Sequence, residues 1–253
     1  MRLEKKVAVV TGAAQGIGLG IAQRFCAEGA QVMMLDINED VGRAAAAGVP
    51  NACFFCTDIS DKKAVDATID EIVTETGRID ICVNNAGILR SGDVLGISEA
   101  DFDAVIAVNL KGAFLISQAV GRHMVSAGSG SIINMSSVNG VMTIPNILPY
   151  NVSKGGLDQL TRVMAVALAD KGIRVNAIGP GSILTEMLQQ VITDDEKRRA
   201  ILSRTPMGRC GEVDEIARIA LFLASDDASY ITGQCIYADG GRLALNYTVP
   251  VPD

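Results

Sequence analysis

The sequence predicts a single α/β domain over residues 1–253: a doubly wound, seven-stranded parallel sheet with helices on both faces. Three observations support this fold class. Short apolar runs without polar alternation, typical of strands covered on both faces, alternate with longer patterns of helical periodicity. The chain has 26 glycines and only 4% aromatic residues, which suits a compact α/β protein rich in tight turns. No proline-rich or Gly/Ser-rich linker divides the chain, so we predict no domain boundary.

The first elements form a βαβ unit. Residues 7–10 are an apolar run that predicts a strand, and a glycine-rich segment, 11–18, follows it. A helical pattern then runs to Gly29, and a second strand, 32–36, ends in the acid Asp36. A strand, a glycine loop, a helix and a strand with a terminal acid are the layout of dinucleotide-binding units.

The glycine loop predicts a pyrophosphate site. Gly12, Gly16 and Gly18 are spaced G-x-x-x-G-x-G. Glycine lets the backbone turn tightly and approach a phosphate, whose charge is stabilised by the N–H groups and positive end of the following helix. We assign cofactor binding to this loop, including Gln15 and Ile17 between its glycines.

Asp36 predicts the choice of cofactor. Its carboxylate can accept hydrogen bonds from the ribose hydroxyls of NAD, and it would repel the 2′-phosphate of NADP. No Arg or Lys occurs in the glycine loop or at positions 37 and 38. NAD is therefore favoured, with the alternative that Asp36 only closes a strand into a turn.

The alternation of elements continues to the end of the chain. Five further strands are predicted, at 53–57, 81–83, 131–137, 173–178 and 235–238. Helices are predicted at 64–76, 98–126 (interrupted near Asn109), 150–170 and 213–224, with a charged helical stretch at 185–203. Ligands of such sheets bind beyond the carboxyl ends of the strands, so the polar groups that follow the strands should converge. These groups are Gly12–Gly18, Asp36, Asp58, Asn85–Gly87, Ser136, Ser137 and Pro180–Gly181.

Composition argues against several other classes. The net charge of −7 argues against a nucleic-acid partner, and no apolar run is long enough to span a membrane. The single histidine, His123, leaves little basis for a zinc or Ser-His-Asp site, and we predict no metal. Cys53 and Cys56 have C-x-x-C spacing, but buried free thiols in a strand are the simpler interpretation. The charged N-terminus is unlike a signal peptide, so we expect a cytoplasmic protein.

Tyr150 and Lys154 lie four residues apart and share one face of a predicted helix. A cation beside a phenol, with no competing carboxylate, lowers the phenol pKa, and such a pair can transfer protons. The same spacing also arises by chance in a long chain, so its meaning depends on the other motifs.

Six motifs, in order and at matching spacing, resemble those of the short-chain dehydrogenase/reductase family, which has a Rossmann fold. They are Thr11-Gly12-x-x-x-Gly16-x-Gly18, Asn84-Asn85-Ala86-Gly87, Asn109, Ser137, Tyr150-x-x-x-Lys154 and Pro180-Gly181-x-x-x-Thr185. The resemblance covers essentially the whole chain. It implies an oxidoreductase that transfers hydride between an alcohol and a nicotinamide cofactor, with an alkaline optimum for oxidation.

The resemblance also implies catalytic roles. Tyr150 would be the acid/base, Lys154 would lower its pKa and bind the nicotinamide ribose, and Ser137 would hold the substrate oxygen. Ser137 is chosen over Ser136 because adjacent strand residues point to opposite faces and the serine of the family lies thirteen residues before the tyrosine. Asn109 would position a water that links Lys154 to solvent, or else would only mark a helix kink.

The remaining cofactor contacts implied by the resemblance lie at strand ends. The adenosine side would be lined by Asn85, Ala86, Gly87, Asp58 and Ile59, and the nicotinamide side by Pro180, Ile183 and Thr185.

Predictions of substrate and assembly rest on the same resemblance. Asn139 and Asn146, near Ser137 and Tyr150, indicate a polar pocket for a sugar, polyol or sugar acid, although they could equally cap loops. Residues 185–203 correspond to a mobile substrate lid, and relatives are commonly homotetramers. The C-terminal tail, 242–253, is apolar enough that we expect it to pack, where Arg242 or the terminal carboxylate could help read a charged substrate.

Two alternatives remain from the sequence. One is a ketone reductase of the same family, such as a 3-oxoacyl reductase, which would usually use NADPH and is disfavoured by Asp36. The other is a non-enzymatic NAD-sensing relative, which is disfavoured because Ser137, Tyr150 and Lys154 are all present.

Overall fold

The computed structural model describes residues 1–191 and 194–251, and its centre is a seven-stranded sheet. The strands, in chain order, are β1 Val7–Thr11, β2 Gln31–Asp36, β3 Ala52–Cys56, β4 Ile81–Asn84, β5 Gly130–Met135, β6 Ile173–Pro180 and β7 Cys235–Ala238. Their order across the sheet is β3-β2-β1-β4-β5-β6-β7, and every neighbouring pair is parallel. The predicted fold class is confirmed.

Helices connect the strands. Their bounds are α1 Gly16–Ala27, α2 Glu39–Ala47, α3 Lys62–Thr76, α4 Glu99–Ile106, α5 Ala113–Ala127, α6 Leu148–Leu168, α7 Glu186–Val191, α8 Asp195–Leu202 and α9 Val213–Ala224. Helix α2 is not predicted from the sequence; it is a short alanine-rich helix in which only Gly42 is buried. The predicted interruption near Asn109 is a π-helix, Ala107–Gly112, between α4 and α5.

Two apolar layers cover the sheet. On one face α1 and α9 pack together, and Ile21 and Phe25 of α1 are fully buried with Ile216 and Ala220 of α9. On the other face α3 and α5 pack together, with Ile69, Ile72, Ile116 and Val120 buried. Strands covered on both faces explain why β1, β2 and β4 read as continuous apolar runs.

The continuous helix from Glu99 to Ala127 is long and apolar enough, by length and composition alone, to cross a membrane. In the structure its apolar side chains Leu115, Ile116, Val120 and Met124 are buried in the layer against the sheet. Its composition is therefore that of a core helix, as the alternation of elements predicted.

Two local predictions need correction. Strand β5 ends at Met135, so Ser136 and Ser137 follow the strand and are not part of it. Cys53 and Cys56 are free and lie on a strand as predicted, but both are exposed because β3 is an edge strand.

The C-terminal tail was expected to pack, yet most of its described residues, 243–251, are exposed or partly exposed. It is attached to the body through the Val249 N–H, which donates to the Ser203 carbonyl at 2.7 Å. Residues 252–253 of this tail, and 192–193 of the predicted lid, lie outside the described residues.

The strand order reverses between β1 and β4. From β1 the chain adds β2 and β3 on one side of the sheet, and from β4 it adds β5, β6 and β7 on the other side. The carboxyl ends of the strands beside such a point splay apart and form the crevice where doubly wound sheets bind ligands. The glycine loop, residues 12–18, starts at this point, and so does the Asn85–Gly87 segment after β4.

Candidate active site

The backbone conformation and close packing of the glycine loop disfavour side chains at its glycine positions. Gly12 and Gly16 have φ values of +62° and +56°, which L side chains rarely adopt. A Cβ on Gly12 would lie 2.7 Å from the Ala86 Cα, and one on Gly18 would overlap the Gly12 carbonyl oxygen. The loop is thus packed tightly on itself and on the segment after β4.

The N-terminus of α1 fits the phosphates of a dinucleotide. Several other helices satisfy their first N–H groups with a side chain, namely α2 with Asn38, α3 with Asp61, α4 with Ser98 and α8 with Asp194. Helix α1 has no such cap at Gln15, and its first turn contains no acidic residue. Its N–H groups and positive end therefore remain available to an anion.

Asp36 holds the glycine loop in place. Its Oδ2 accepts a hydrogen bond from the Ala14 N–H at 3.1 Å, and its Oδ1 accepts one from the Asn38 N–H at 3.0 Å. The carboxylate therefore closes a turn, as the alternative interpretation held. Each oxygen keeps a further lone pair, so the same group can also accept from a ribose hydroxyl.

The segment after β4 is tied to the glycine loop. The Asn85 side-chain amide donates to the carbonyls of Thr11 and Gly12 at 3.1 and 3.0 Å, and the Asn85 and Ala86 N–H groups bond to the Thr11 hydroxyl. Asn85 therefore shapes the cofactor crevice through the backbone of its neighbours.

The predicted adenine contacts lie after β3. Asp58 is exposed, and its Oδ1 accepts from the N–H and the hydroxyl of Ser60. Ile59 is buried and packs against Gly112 of the π-helix, where a Cβ would come within 2.7 Å of its side chain. The turn is thus fixed from both sides.

Tyr150, Lys154 and Ser137 come together as predicted. The Lys154 ammonium lies 5.4 Å from the centre of the Tyr150 ring and donates to the Met135 carbonyl at 2.7 Å. Ser137 caps the short turn after β5, where its Oγ accepts from the Asn139 N–H, and its hydroxyl lies near enough to the Tyr150 phenol to lower the pKa of that phenol. The three side chains that the sequence predicts for an acid/base site thus meet at the carboxyl edge of the sheet.

Asn109 connects this site to the crevice. It is 1% exposed, and its amide group pairs with the backbone of Ile88, with Oδ1 accepting at 2.8 Å and Nδ2 donating at 2.9 Å. The Nδ2 also donates to the Ser153 hydroxyl on α6. A Cβ on Gly87 would lie 3.4 Å from Asn109 Oδ1 and 3.7 Å from Lys154 Nζ, so the loop, the π-helix and the lysine are in contact.

The segment after β6 approaches the glycine loop from the other side. Pro180 ends the strand, Ile183 is buried and the Thr185 hydroxyl accepts from the Leu188 N–H as α7 begins. The Thr185 side chain lies 3.7 Å from the position of a Gly16 Cβ. The predicted nicotinamide contacts therefore lie beside the predicted pyrophosphate site.

The predicted substrate residues differ in their surroundings. The Asn139 side-chain oxygen is buried without a hydrogen-bond partner in the described part of the chain, beside Ser137. Asn146 is exposed, and its backbone carbonyl accepts from the Gly92 N–H. Of these two predicted substrate residues, Asn139 is therefore the one with a buried side-chain oxygen that is free to accept a hydrogen bond from a ligand.

Comparison with known proteins places this geometry in a family. A family model described as enoyl-(acyl carrier protein) reductase matches residues 12–242. The chain belongs to the short-chain dehydrogenase/reductase family. It is 43% identical over 245 residues to the 3-oxoacyl-(acyl-carrier-protein) reductase FabG of Thermotoga maritima, covering 95% of this chain and 99% of that protein.

Two further similarities bear on the substrate of this short-chain dehydrogenase/reductase. It is 42% identical to galactitol 2-dehydrogenase (L-tagatose-forming) of Cereibacter sphaeroides, over 95% of this chain and 96% of that protein. It superposes with a TM-score of 0.92 and 37% identity on a gluconate 5-dehydrogenase from Burkholderia cenocepacia in complex with NADP and tartrate, over 96% and 97% of the two chains. The chain is therefore an oxidoreductase that uses a nicotinamide cofactor, and its relatives differ in substrate.

The electrostatics of this dehydrogenase/reductase site correct one sequence expectation. Burial raises the pKa of the Tyr150 phenol in the protein alone, opposite to the predicted lowering, although the nearby Ser137 hydroxyl acts to lower it. Burial also lowers the pKa of Lys154 to about 8. Both shifts follow from desolvation of the charged form.

Asp158, which lies one helical turn after Lys154, is not among the residues predicted from the sequence. Its side chain is 3% exposed, and neither carboxylate oxygen has a hydrogen-bond partner among the described residues. Burial raises the pKa of Asp158, and its charge raises the pKa of Lys154. The spacing of four residues from Lys154 was the signal that could have identified it. The premise that no carboxylate competes for Lys154 was therefore wrong.

Other charged and titratable groups face Asp158. The Ser136 hydroxyl and the cations of Lys154 and Arg162 lower its pKa, and the side chains of Cys235 and Tyr237 face it from β7. Gly140 leaves the space for the carboxylate, since a Cβ there would lie 2.5 Å from Asp158 Oδ2.

Replacing Asp158 by asparagine should shift the pH profile. Without the anion, the pKa of Lys154 falls further below its value of about 8, so the ammonium loses its proton at lower pH. We expect the alkaline limb of kcat/KM for alcohol oxidation to move to lower pH, and a pH series measures this. Asp170→Asn, an exposed site after the same helix, is the control. An alkaline limb that stays in place in Asp158→Asn would show that Asp158 is neutral in the working enzyme.

Proposed function

We propose that the protein is an NAD-dependent dehydrogenase that oxidises a secondary alcohol of a polyhydroxylated small molecule: a sugar, polyol or sugar acid. The observation that carries the proposal is the meeting of Ser137, Tyr150 and Lys154 beside the glycine loop at one edge of the sheet. An acid/base site next to an uncapped helix N-terminus is what hydride transfer with a bound dinucleotide requires.

The residues divide the work as follows. Tyr150 accepts the proton of the substrate hydroxyl, and Ser137 donates a hydrogen bond to the substrate oxygen as charge develops there. Lys154, with its positive charge 5.4 Å from the ring centre, stabilises the phenolate and holds the nicotinamide ribose. Bound NAD⁺ supplies the hydride acceptor. Because burial of Tyr150 opposes ionisation, both the ammonium and the Ser137 hydroxyl are needed to offset it.

The polar lining supports a polyhydroxylated substrate. The unpaired Asn139 oxygen beside Ser137 can accept from a second hydroxyl of the substrate. A fatty acyl chain would leave this buried acceptor unpaired, which costs free energy. We therefore favour several hydroxyls on the substrate over a long apolar chain.

Asp36 supports NAD as the cofactor, and Asp36→Asn tests this. The amide keeps the shape and removes the charge that repels a 2′-phosphate, so we expect the ratio of kcat/KM with NAD to that with NADP to fall roughly tenfold or more. Asp40→Asn, an exposed acid in the first turn of α2, is the control. Wild-type protein that uses NADP as well as NAD would contradict the assignment.

The competing proposal is a ketone reductase that uses NADPH, which the identity to a 3-oxoacyl reductase supports. A screen at alkaline pH separates the two. NADH formation from sugars, polyols or sugar acids is the expected result. Consumption of NADPH with 3-oxoacyl thioesters, and none of the alcohols oxidised, would favour the reductase.

We also propose that the chain works as a homotetramer in the cytoplasm. Helices α5 and α6 expose apolar side chains that a subunit interface would cover, including Phe114 (41% exposed), Val163 (64%) and Val166 (83%). All six cysteines are free, which suits a reducing compartment.

A further inference from the structure

A buried arginine at the end of the sheet forms no salt bridge with a carboxylate of the described residues. Arg242 follows β7 and is 9% exposed. Its Nη1 lies 3.4 Å from the Ser182 hydroxyl oxygen, and its Nε is buried without a partner in the described ranges 1–191 and 194–251. Burial lowers the pKa of Arg242. A buried cation of this kind is costly unless an anion joins it.

The acid that faces Arg242 is already engaged. Asp239 accepts from the Gly241 N–H at 2.9 Å with one oxygen and from the Leu243 N–H at 2.7 Å with the other. The charge of Asp239 raises the pKa of Arg242, whereas the charge of a second cation, Arg204, lowers it. The balance of charge at this point is therefore positive, in a chain whose net charge is −7.

Arg242 is close to the predicted nicotinamide contacts, because its Nη1 contacts Ser182. Ser182 lies between Gly181 and Ile183, in the segment that follows β6. Arg204 lies just after α8, in the loop 203–207 that packs on the end of β7: a Cβ on Gly240 would lie 2.7 Å from the Thr205 side chain. The loop after α8, the end of the sheet and the segment after β6 thus meet near Arg242.

We propose that Arg242, with Arg204 and the Ser182 hydroxyl, binds the carboxylate of a sugar-acid substrate. The inference rests on the proposed function and narrows the substrate class from polyhydroxylated alcohols in general to those with a carboxylate. A guanidinium group binds a carboxylate through two parallel N–H···O bonds, which fixes both position and orientation. A local positive site is also what an anionic substrate needs in order to approach an acidic protein.

The test compares D-gluconate with D-sorbitol, which have six carbons each and differ chiefly in the carboxylate. Arg242→Gln should raise KM for D-gluconate roughly 10- to 100-fold and leave KM for D-sorbitol within about twofold, because it removes a charged hydrogen bond. Arg204→Gln should act in the same direction more weakly, since this side chain is exposed. Arg209→Gln, an exposed arginine paired with Glu215, is the matched control and should change neither.

A second measurement does not depend on turnover. D-gluconate should raise the thermal midpoint of the wild-type protein with NADH, and Arg242→Gln and Arg204→Gln should lose that shift. If Arg242→Gln does not fold, the exposed Arg204→Gln decides the question by both readouts. The Kd of NADH should stay unchanged in both variants.

Three outcomes would overturn the inference: an unchanged ratio of the two KM values, a weakened NADH affinity with that ratio unchanged, or oxidation of D-sorbitol but not D-gluconate. In the last case the proposed function stands and the carboxylate site fails. If no polyhydroxylated compound is oxidised, the proposed function fails, and a gluconate-dependent thermal shift lost in the variants would still support the anion site.

Discussion

Tyr150→Phe should lower kcat by roughly 10²- to 10⁴-fold, the range that a positioned general acid/base contributes. The substitution removes the phenol oxygen that we propose accepts the substrate proton, and it keeps the ring beside which Lys154 lies. We therefore expect the Kd of NADH to change by less than about threefold, since the ring packing remains. Steady-state rates and fluorescence titration with NADH measure the two effects separately.

The control for this prediction is Tyr230→Phe. This substitution removes the same kind of hydroxyl from a tyrosine that is fully exposed. It should leave kcat unchanged. Activity of Tyr150→Phe within tenfold of wild type would mean that another group transfers the proton. A large loss of NADH affinity would instead mean that the substitution disturbs the crevice. The fall in kcat would then not test the role of Tyr150 in proton transfer.

Gly18→Ala should damage both the fold and cofactor binding. The new methyl group would overlap the Gly12 carbonyl oxygen and approach the Asn85 side chain, so the glycine loop must shift. Overpacking of this kind costs about 1–3 kcal/mol, or roughly 2–10 °C in the thermal midpoint of a chain of this size. We expect the Kd of NADH to rise at least tenfold, because the displaced backbone is the predicted phosphate site.

Gly121→Ala is the matched control for Gly18→Ala. Both glycines lie in helices, but a Cβ on Gly121 would meet nothing within 4 Å. Alanine in a helix is favoured over glycine by about 1 kcal/mol, so this variant should be as stable as wild type or slightly more stable. If the Gly18→Ala protein binds NADH with unchanged affinity, the glycine loop is not part of the cofactor site.

The predictable features depend on local sequence. The apolar runs of β1 and β2 are buried on both faces, and the tight turn between β1 and α1 has positive φ values at Gly12 and Gly16. The break in the long helix was predicted near Asn109 and is a π-helix. Each of these features depends on residues that are close together in the sequence, so the local structure can be predicted from their spacing.

The edges of elements were less predictable. Strand β5 was extended to Ser137 because serines continue an apolar run without a turn signal, but pairing with β6 ends at Met135. Burial of Cys53 and Cys56 was expected from their apolar neighbours, but it depends on the place of β3 at the sheet edge. Strand order is a tertiary property, because it is set by which strands pair.

The sequence by itself determined the parallel α/β fold, the glycine loop for a dinucleotide and the spacing of Tyr150 and Lys154 on one helix face. The tertiary structure decided the charge environment of that pair. Ser137 reaches Tyr150 from the loop after β5, and the chain folds Cys235 and Tyr237 of β7 against Asp158. It also leaves Arg242 buried beside Ser182. The physical reason is that a pKa depends on desolvation and on charges within a few ångströms, and these neighbours lie 13 to 79 positions apart in the chain.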